Sequence, residues 1–139
     1  MTTIEEALEG STPLAEKVRA AGPYRSTAEL IARMRATVPT LTEAEKVLTL
    51  NAHPRIGEDP RHLSQRSLQE QGANAVPELD RLNAEYERRF GFRFVVFVNR
   101  RPKAQIVEVL QERLHRSREE ELEEGLRAIV AIAEDRLRS

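Results

Sequence analysis

The sequence predicts an all-α protein: one domain over residues 1–139, folded as a bundle of about seven to eight helices. Apolar residues recur at the helical period of 3.6 residues in most segments between residues 12 and 137. Several of these segments begin with serine or threonine followed three residues later by glutamate, a pattern typical of a helix N-terminus. Only residues 92–98 are rich enough in β-branched and aromatic residues to favour a strand.

Three helices are expected in the first half of the chain. Each begins with an N-terminal signal: Thr12 followed by Pro13, Ser26 with Glu29, and Thr42 with Glu45. Gly22 is a typical C-terminal stop for the first of them. The second carries three apolar residues on one face: Leu30, Ile31 and Met34.

Three further helices are expected in the second half. Residues 77–91 form an amphipathic pattern that ends at Gly91, with an apolar stripe of Leu79, Leu82, Tyr86 and Phe90. Residues 102–114 repeat the spacing with Ile106, Leu110 and Leu114. The last helix begins at Ser117, has glutamates in its first turn, and continues through Leu122, Leu126, Ile129, Ala133 and Leu137.

The stretch FRFVVFV at residues 92–98 breaks this pattern. Its residues favour a strand, yet the chain offers no second segment with which it could pair. An isolated strand leaves its main-chain polar groups without partners. We therefore expect a short extended or irregular buried segment between helices, with main-chain N–H and C=O groups that are free to bind a ligand.

Composition excludes several classes of function. The net charge of −1 favours neither nucleic acid nor a membrane surface, and the absence of cysteine excludes thiolate nucleophiles and Cys-based metal sites. The chain has no apolar run long enough to span a bilayer, and its acidic N-terminus is unlike a signal peptide. We expect a cytoplasmic protein. No phosphate loop, G-x-S-x-G elbow or H-E-x-x-H is present, so catalysis would use acid–base groups without a cofactor.

The stretch NAHPRIGEDP at residues 51–60 contains the first candidate site residue. Proline disfavours helical conformation in the residue before it, so His53 is expected at or just past a helix end. An imidazole held in such a corner could transfer protons near neutral pH, or it could merely end the helix. The other histidines, His62 and His115, give no spacing that is typical of a metal site.

A second candidate cluster is SLQEQG at residues 67–72. Ser67 and Glu70 would share one face of a helix, and they could simply form another capping box. That interpretation leaves Gln71 unexplained. A serine, a glutamate and a glutamine together supply donors and acceptors for an amide-rich small molecule.

A third cluster, residues 88–103, contains six basic residues and no acidic one. Basic residues interleaved with phenylalanines could indicate nucleic-acid binding, but the net acidity of the chain argues against it. The phenylalanines are expected in the core. A cationic rim around an anionic small-molecule site is an equally good interpretation.

Three motifs, in this order, resemble the 2-oxo-4-hydroxy-4-carboxy-5-ureidoimidazoline (OHCU) decarboxylases: HPRIG at 53–57, SLQEQ at 67–71 and FGFRFVVFV at 90–98. The resemblance covers nearly the whole chain. It implies an all-α, cofactor-free and metal-free enzyme, often dimeric, that converts OHCU to (S)-allantoin with loss of carbon dioxide. It also implies a functional link to uricase and 5-hydroxyisourate hydrolase, with neither nucleic acid nor membrane as a partner.

The resemblance also assigns site residues. His53 would be the catalytic acid–base residue and Glu70 its carboxylate partner. The substrate would be lined by Pro54, Ser67, Leu68, Gln69 and Gln71. The main chain of Phe94, Val95, Val96, Phe97 and Val98 would bind its polar edge.

This sequence departs from the family pattern at two places near the site. Arg93 stands where the family usually has proline in Phe-Gly-x-Pro-Phe. Asn99 aligns with a cation found in some members, and either Arg100 or Arg101 could replace that cation. The Arg93 departure leaves open an alternative function, a non-catalytic helical domain for binding or assembly.

Overall fold

The computed structural model describes residues 2–56, 64–66 and 77–139. It confirms the all-α class, because these residues form seven α-helices, one short 3-10 helix and no strand. The α-helices are α1 (Ile4–Leu8), α2 (Pro13–Ala21), α3 (Thr27–Thr37), α4 (Glu43–Asn51), α5 (Pro77–Phe90), α6 (Lys103–Arg113) and α7 (Arg118–Arg138), and the 3-10 helix is Val38–Thr40.

The helix starts follow the predicted capping signals. Thr42 and Ser117 form complete capping boxes at α4 and α7. Ser26 caps α3 by accepting a hydrogen bond from the main-chain N–H of Glu29, although the reciprocal bond of a full box is not formed. The sequence analysis missed α1, which begins at Thr3 with the same kind of capping box.

The core forms where the apolar stripes meet. The four stripe residues of α5 are all buried, and α7 packs lengthwise against α1, α3 and α4. Four rings form an aromatic cluster, with centroids 4.6–6.1 Å apart, from Tyr86, Phe90, Phe92 and Phe94. Leu114 and Leu137 are only partly buried. No helix in the described part of the chain is both long enough and apolar enough to cross a membrane.

The segment after α5 has neither helix nor strand, as expected. Gly91 ends α5 in the left-handed conformation, with φ +82°, and its N–H donates to the carbonyl of Glu87 at 2.9 Å. The chain then continues through residues 92–98 without regular structure. Phe92, Phe94 and Val95 are almost completely buried, so the segment lies within the core.

A buried ion pair connects this segment to the last two helices. Glu121 is fully buried and accepts hydrogen bonds from Arg113 and from the Tyr86 hydroxyl, each 2.7 Å long. The Arg113 guanidinium also donates to the carbonyl of Val95 at 3.1 Å and stacks over the Phe94 ring, 4.7 Å from its centroid. Burial and the bond to Glu121 raise the pKa of Tyr86, so its hydroxyl stays a donor.

Candidate functional site

A cavity of about 270 Å³ lies beside the chain corner that follows α4. Its walls come from three parts of the fold. The corner contributes His53, Pro54 and Ile56, the irregular segment and the turn after it contribute residues 94–100, and the end of α7 contributes Ile132, Asp135 and Arg136. Arg66 and Ser139 complete the described lining. The cavity therefore brings together the corner and the segment that the resemblance assigned to one site.

The corner is held in place from both ends. Helix α4 ends at Asn51, and the N–H of His53 donates to the carbonyl of Leu50 at 3.2 Å. On the far side, the buried amide of Asn83 donates to the carbonyl of Ile56 at 2.6 Å. Arg55 makes two hydrogen bonds, of 2.6 and 2.9 Å, to the carboxylate of Glu87. Helix α5 thus fixes the position of the corner that contains His53.

The imidazole of His53 is 3 % exposed, and neither ring nitrogen has a hydrogen-bond partner among the residues that the structure describes. Burial lowers the pKa of His53 to about 4; nearby Glu9 opposes this effect, while Arg136 and Arg93 add to it. His53 is therefore neutral at physiological pH. A buried polar group without a partner is rare, and here both nitrogens belong to a residue that lines a cavity.

Residues 94–98 form the floor of the cavity. Arginine side chains occupy three of its carbonyls: Arg113 binds Val95 O, and Arg101 binds Phe97 O and Val98 O. The N–H groups of residues 94–98 donate to no acceptor within residues 2–56, 64–66 and 77–139. Those N–H groups of the segment that face the cavity would be donors for a ligand with carbonyl or anionic oxygens.

The sequence left open whether Arg100 or Arg101 replaces the cation that some family members carry, and the structure distinguishes the two. Residues 99 and 100 both have positive φ, 48° and 64°, and this turn brings them to the cavity. Arg100 lines the cavity and makes no ion pair in the described part of the chain. Arg101 instead folds back onto the segment's carbonyls. Fewer basic residues are therefore available for a cationic rim than residues 88–103 contain, because the guanidinium groups of Arg93 and Arg101 donate to main-chain carbonyls.

Sequence analysis missed the contribution of both chain ends. The buried Arg136 pairs with Glu9 at 2.9 Å. Arg66 donates to the hydroxyls of Thr2 and Ser139. The sequence did contain a signal that Arg136 is buried, because this residue lies three positions after Ala133 on the apolar stripe of the last helix. Arg66 and Glu9 had no comparable signal.

The remaining predicted site residues, Ser67, Leu68, Gln69, Glu70 and Gln71, lie outside the described residues, as do Gly57 and His62. Their roles stay predictions. Within the described ranges, no group of three or more acidic or histidine side chains could hold a metal ion.

The model of the family described as OHCU decarboxylase matches residues 1–138 of this chain. The chain belongs to the OHCU decarboxylase family. A relative in Haloferax volcanii, named 2-oxo-4-hydroxy-4-carboxy-5-ureidoimidazoline decarboxylase, is 31 % identical over 140 residues, which cover 95 % of this chain and 83 % of that protein.

Other relatives are longer. The uric acid degradation bifunctional protein PucL of Bacillus subtilis is 30 % identical over 143 residues, which cover 97 % of this chain. The chain spans 29 % of PucL and 27 % of a similarly named protein from another Bacillus strain, so it spans less than a third of these relatives.

Two solved structures share the fold. An OHCU decarboxylase crystallised in the presence of (S)-allantoin aligns with a TM-score of 0.78 and 23 % identity, covering 96 % of this chain and 92 % of that one. An (S)-allantoin synthase aligns with a TM-score of 0.70 and 25 % identity, covering 96 % and 46 %. Both support the all-α architecture.

Proposed function

We propose that this chain catalyses the decarboxylation of OHCU to (S)-allantoin in urate degradation, without a cofactor. The observation that carries the proposal is the buried imidazole of His53, which has no described partner and lines a cavity in a chain of this family. Uricase and 5-hydroxyisourate hydrolase would act before it, as in the urate-degrading context named for its relatives.

The chemistry requires no external electron sink. When the bond from the ring carbon to the carboxylate breaks, carbon dioxide leaves and the electron pair forms a new carbon–carbon double bond. The adjacent C=N bond of the ring accepts the displaced pair at nitrogen, which takes up a proton. The hydroxyl then loses its proton to become the carbonyl of allantoin, while the neighbouring carbon gains one. The protein must orient the breaking bond and stabilise the charge that develops.

The cavity offers groups for both tasks. The free N–H groups of Phe94, Val95, Val96, Phe97 and Val98 would bind the carbonyl and charged edge of the ring. Arg100, which has no described acidic partner, would bind the substrate carboxylate. Pro54, Ser67, Leu68, Gln69 and Gln71 would complete the pocket, with Glu70 accepting the hydroxyl proton.

His53 would deliver the proton that sets the handedness of the product. Its imidazole is neutral in the empty cavity because burial lowers its pKa to about 4. An anionic substrate beside the ring would favour the protonated form. Binding and proton uptake would therefore be coupled, and the proton would then be donated from one fixed side.

The test is stereochemical. OHCU is generated in situ with uricase and the hydrolase, this protein is added, and circular dichroism is followed over time. Spontaneous decay gives racemic allantoin and no lasting signal, whereas the enzyme should give a persistent signal of one sign. His53→Asn should abolish the signal while the exposed control His115→Asn keeps it. Racemic product with the parent chain would instead favour the alternative, a non-catalytic binding or assembly domain.

The cellular setting is also proposed. The chain would act in the cytoplasm as a single domain and as a homodimer, as is common for its family. Light scattering of the purified chain would test the dimer, because a mass close to 15.8 kDa would identify a monomer.

A further inference from the structure

Arg93 makes three hydrogen bonds to the end of α4. Its main-chain N–H donates to the side-chain oxygen of Asn51 at 2.9 Å. Its guanidinium Nη1 donates to two main-chain carbonyls, that of Asn51 at 2.9 Å and that of His53 at 3.1 Å. Arg93 thus connects the last residue of the helix, the corner histidine and the start of the irregular segment.

These contacts satisfy groups that the helix cannot satisfy itself. The last carbonyls of a helix have no partner within it, and a cation at this end also complements the helix dipole. The carbonyl of His53 lies beyond the helix, in a corner where Pro54 removes a main-chain donor. A long side chain with several donors can bind both carbonyls at once.

The position of Arg93 in the chain makes the contact relevant to the cavity. The next residue, Phe94, begins the cavity floor, while Arg93 itself is not part of the described lining. Helix α5 already fixes the far side of the corner through Asn83 and Glu87. The bonds from Arg93 fix the near side and attach it directly to the floor.

We propose that Arg93 is a positioning residue that sets the distance and direction of the His53 imidazole relative to the floor at residues 94–98. The proposal rests on the proposed role of His53 in decarboxylation. A proline at position 93 would lack both the N–H and the guanidinium and could make none of the three bonds. The bond from the main-chain N–H needs only a residue other than proline, whereas the two guanidinium bonds depend on the arginine and are the ones that a side-chain substitution removes. Arg93 is not part of the described lining, so it should affect turnover more than substrate binding.

The kinetic test uses Arg93→Met and Arg93→Lys, with Arg89→Met as the control. Like Arg93, Arg89 lies outside the described lining and donates to a main-chain carbonyl, that of Arg116 at 3.4 Å, but within the described residues it makes no bond to the corner that contains His53. Arg93→Met should lower kcat by about 10- to 100-fold with KM changed less than about threefold, because small misplacements of catalytic groups slow chemistry strongly. Arg93→Lys should recover part of kcat, and Arg89→Met should match the parent.

A second measurement does not depend on activity. Diethyl pyrocarbonate modifies accessible neutral imidazoles, and the tryptic peptide 47–55 contains His53 as its sole histidine. Because the parent imidazole is 3 % exposed, it should react slowly. It should react several-fold faster in Arg93→Met, and no faster than the parent in Arg89→Met.

The outcomes separate the two proposals. If Arg93→Met, corrected for the folded fraction, keeps the parent kcat, Arg93 has only a structural role and the inference is overturned. A raised KM with unchanged kcat would overturn it too, because Arg93 would then contribute to substrate binding. If the parent chain does not turn over OHCU, the proposed function fails, and the modification rates alone decide whether Arg93 positions His53. Should Arg93→Met fail to fold, Arg93→Lys decides by the same criteria.

Discussion

Acidification from about pH 7.5 to about pH 5 is expected to lower the free energy of unfolding by about 2 kcal/mol through His53 alone. Burial lowers the pKa of this histidine to about 4, with an opposing effect of Glu9 and smaller contributions from Arg136 and Arg93. In the unfolded chain the pKa returns to about 6.5. Between these values the unfolded state binds more protons than the folded state. The stabilisation is therefore complete above about pH 6.5 and is lost as the pH falls towards 4.

The magnitude follows from the two pKa values. Each tenfold difference in proton affinity is worth about 1.4 kcal/mol, so the full effect is about 3 kcal/mol, and about 2 kcal/mol of it is lost by pH 5. Glu45 and Glu120 have pKa values lowered by the main-chain N–H groups of their capping residues, so they stay ionised over this range. A variant without the histidine separates its contribution from that of the other titrating groups.

The assay is urea unfolding at both pH values for the parent, His53→Gln and His115→Gln. The parent and the exposed-site control His115→Gln should each lose about 2 kcal/mol, whereas His53→Gln should lose much less. His53→Gln will be less stable than the parent at both pH values, because it buries an amide. The quantity compared is the change in the free energy of unfolding between the two pH values. An equal loss in His53→Gln would refute the argument that the buried imidazole is the group that titrates.

Three further predictions test other parts of the structure. Tyr86→Phe removes the 2.7 Å hydrogen bond to the buried Glu121 and should lower the free energy of unfolding, measured with urea, by about 1.5–3 kcal/mol. An unchanged urea midpoint would show that the bond contributes nothing to stability. Gly91→Ala should lower stability by about 1 kcal/mol, because φ is +82° and a Cβ there meets no atom within 4 Å; a larger loss would indicate a clash. Arg100→Met should raise KM for OHCU at least about tenfold, because it removes the proposed contact with the substrate carboxylate. The control is Arg88→Met, which replaces an exposed arginine outside the described lining and should leave KM unchanged. Equal KM values for the two variants would exclude the contact.

Local signals predicted much of the fold. Thr42 and Ser117 begin helices because each is followed three residues later by a glutamate that completes a capping box. The irregular conformation of residues 92–98 was predictable because the sequence has no partner strand for it. His53 lies just past a helix end because Pro54 restricts it.

Long-range pairing was not predictable in the same way. Glu121 reads as a first-turn glutamate favoured by the helix dipole, yet it is fully buried between Arg113 and Tyr86. The basic run at 88–103 suggested a cationic rim, but Arg93 and Arg101 bind main-chain carbonyls. Spacing shows which residues share a face, and these contacts depend on how distant segments pack. Glu70 lies outside the described residues, so its place beside His53 stays a prediction.

Arg66 joins the two extremities of the described chain at the lining of the cavity, since it donates to the hydroxyls of both Thr2 and Ser139. An affinity tag or a fused protein attached at either extremity would therefore emerge close to Arg66, which lines the cavity. Kinetic comparisons between differently tagged versions should thus be made after tag removal, because a bulky attachment could obstruct diffusion into the cavity without altering any residue of the site.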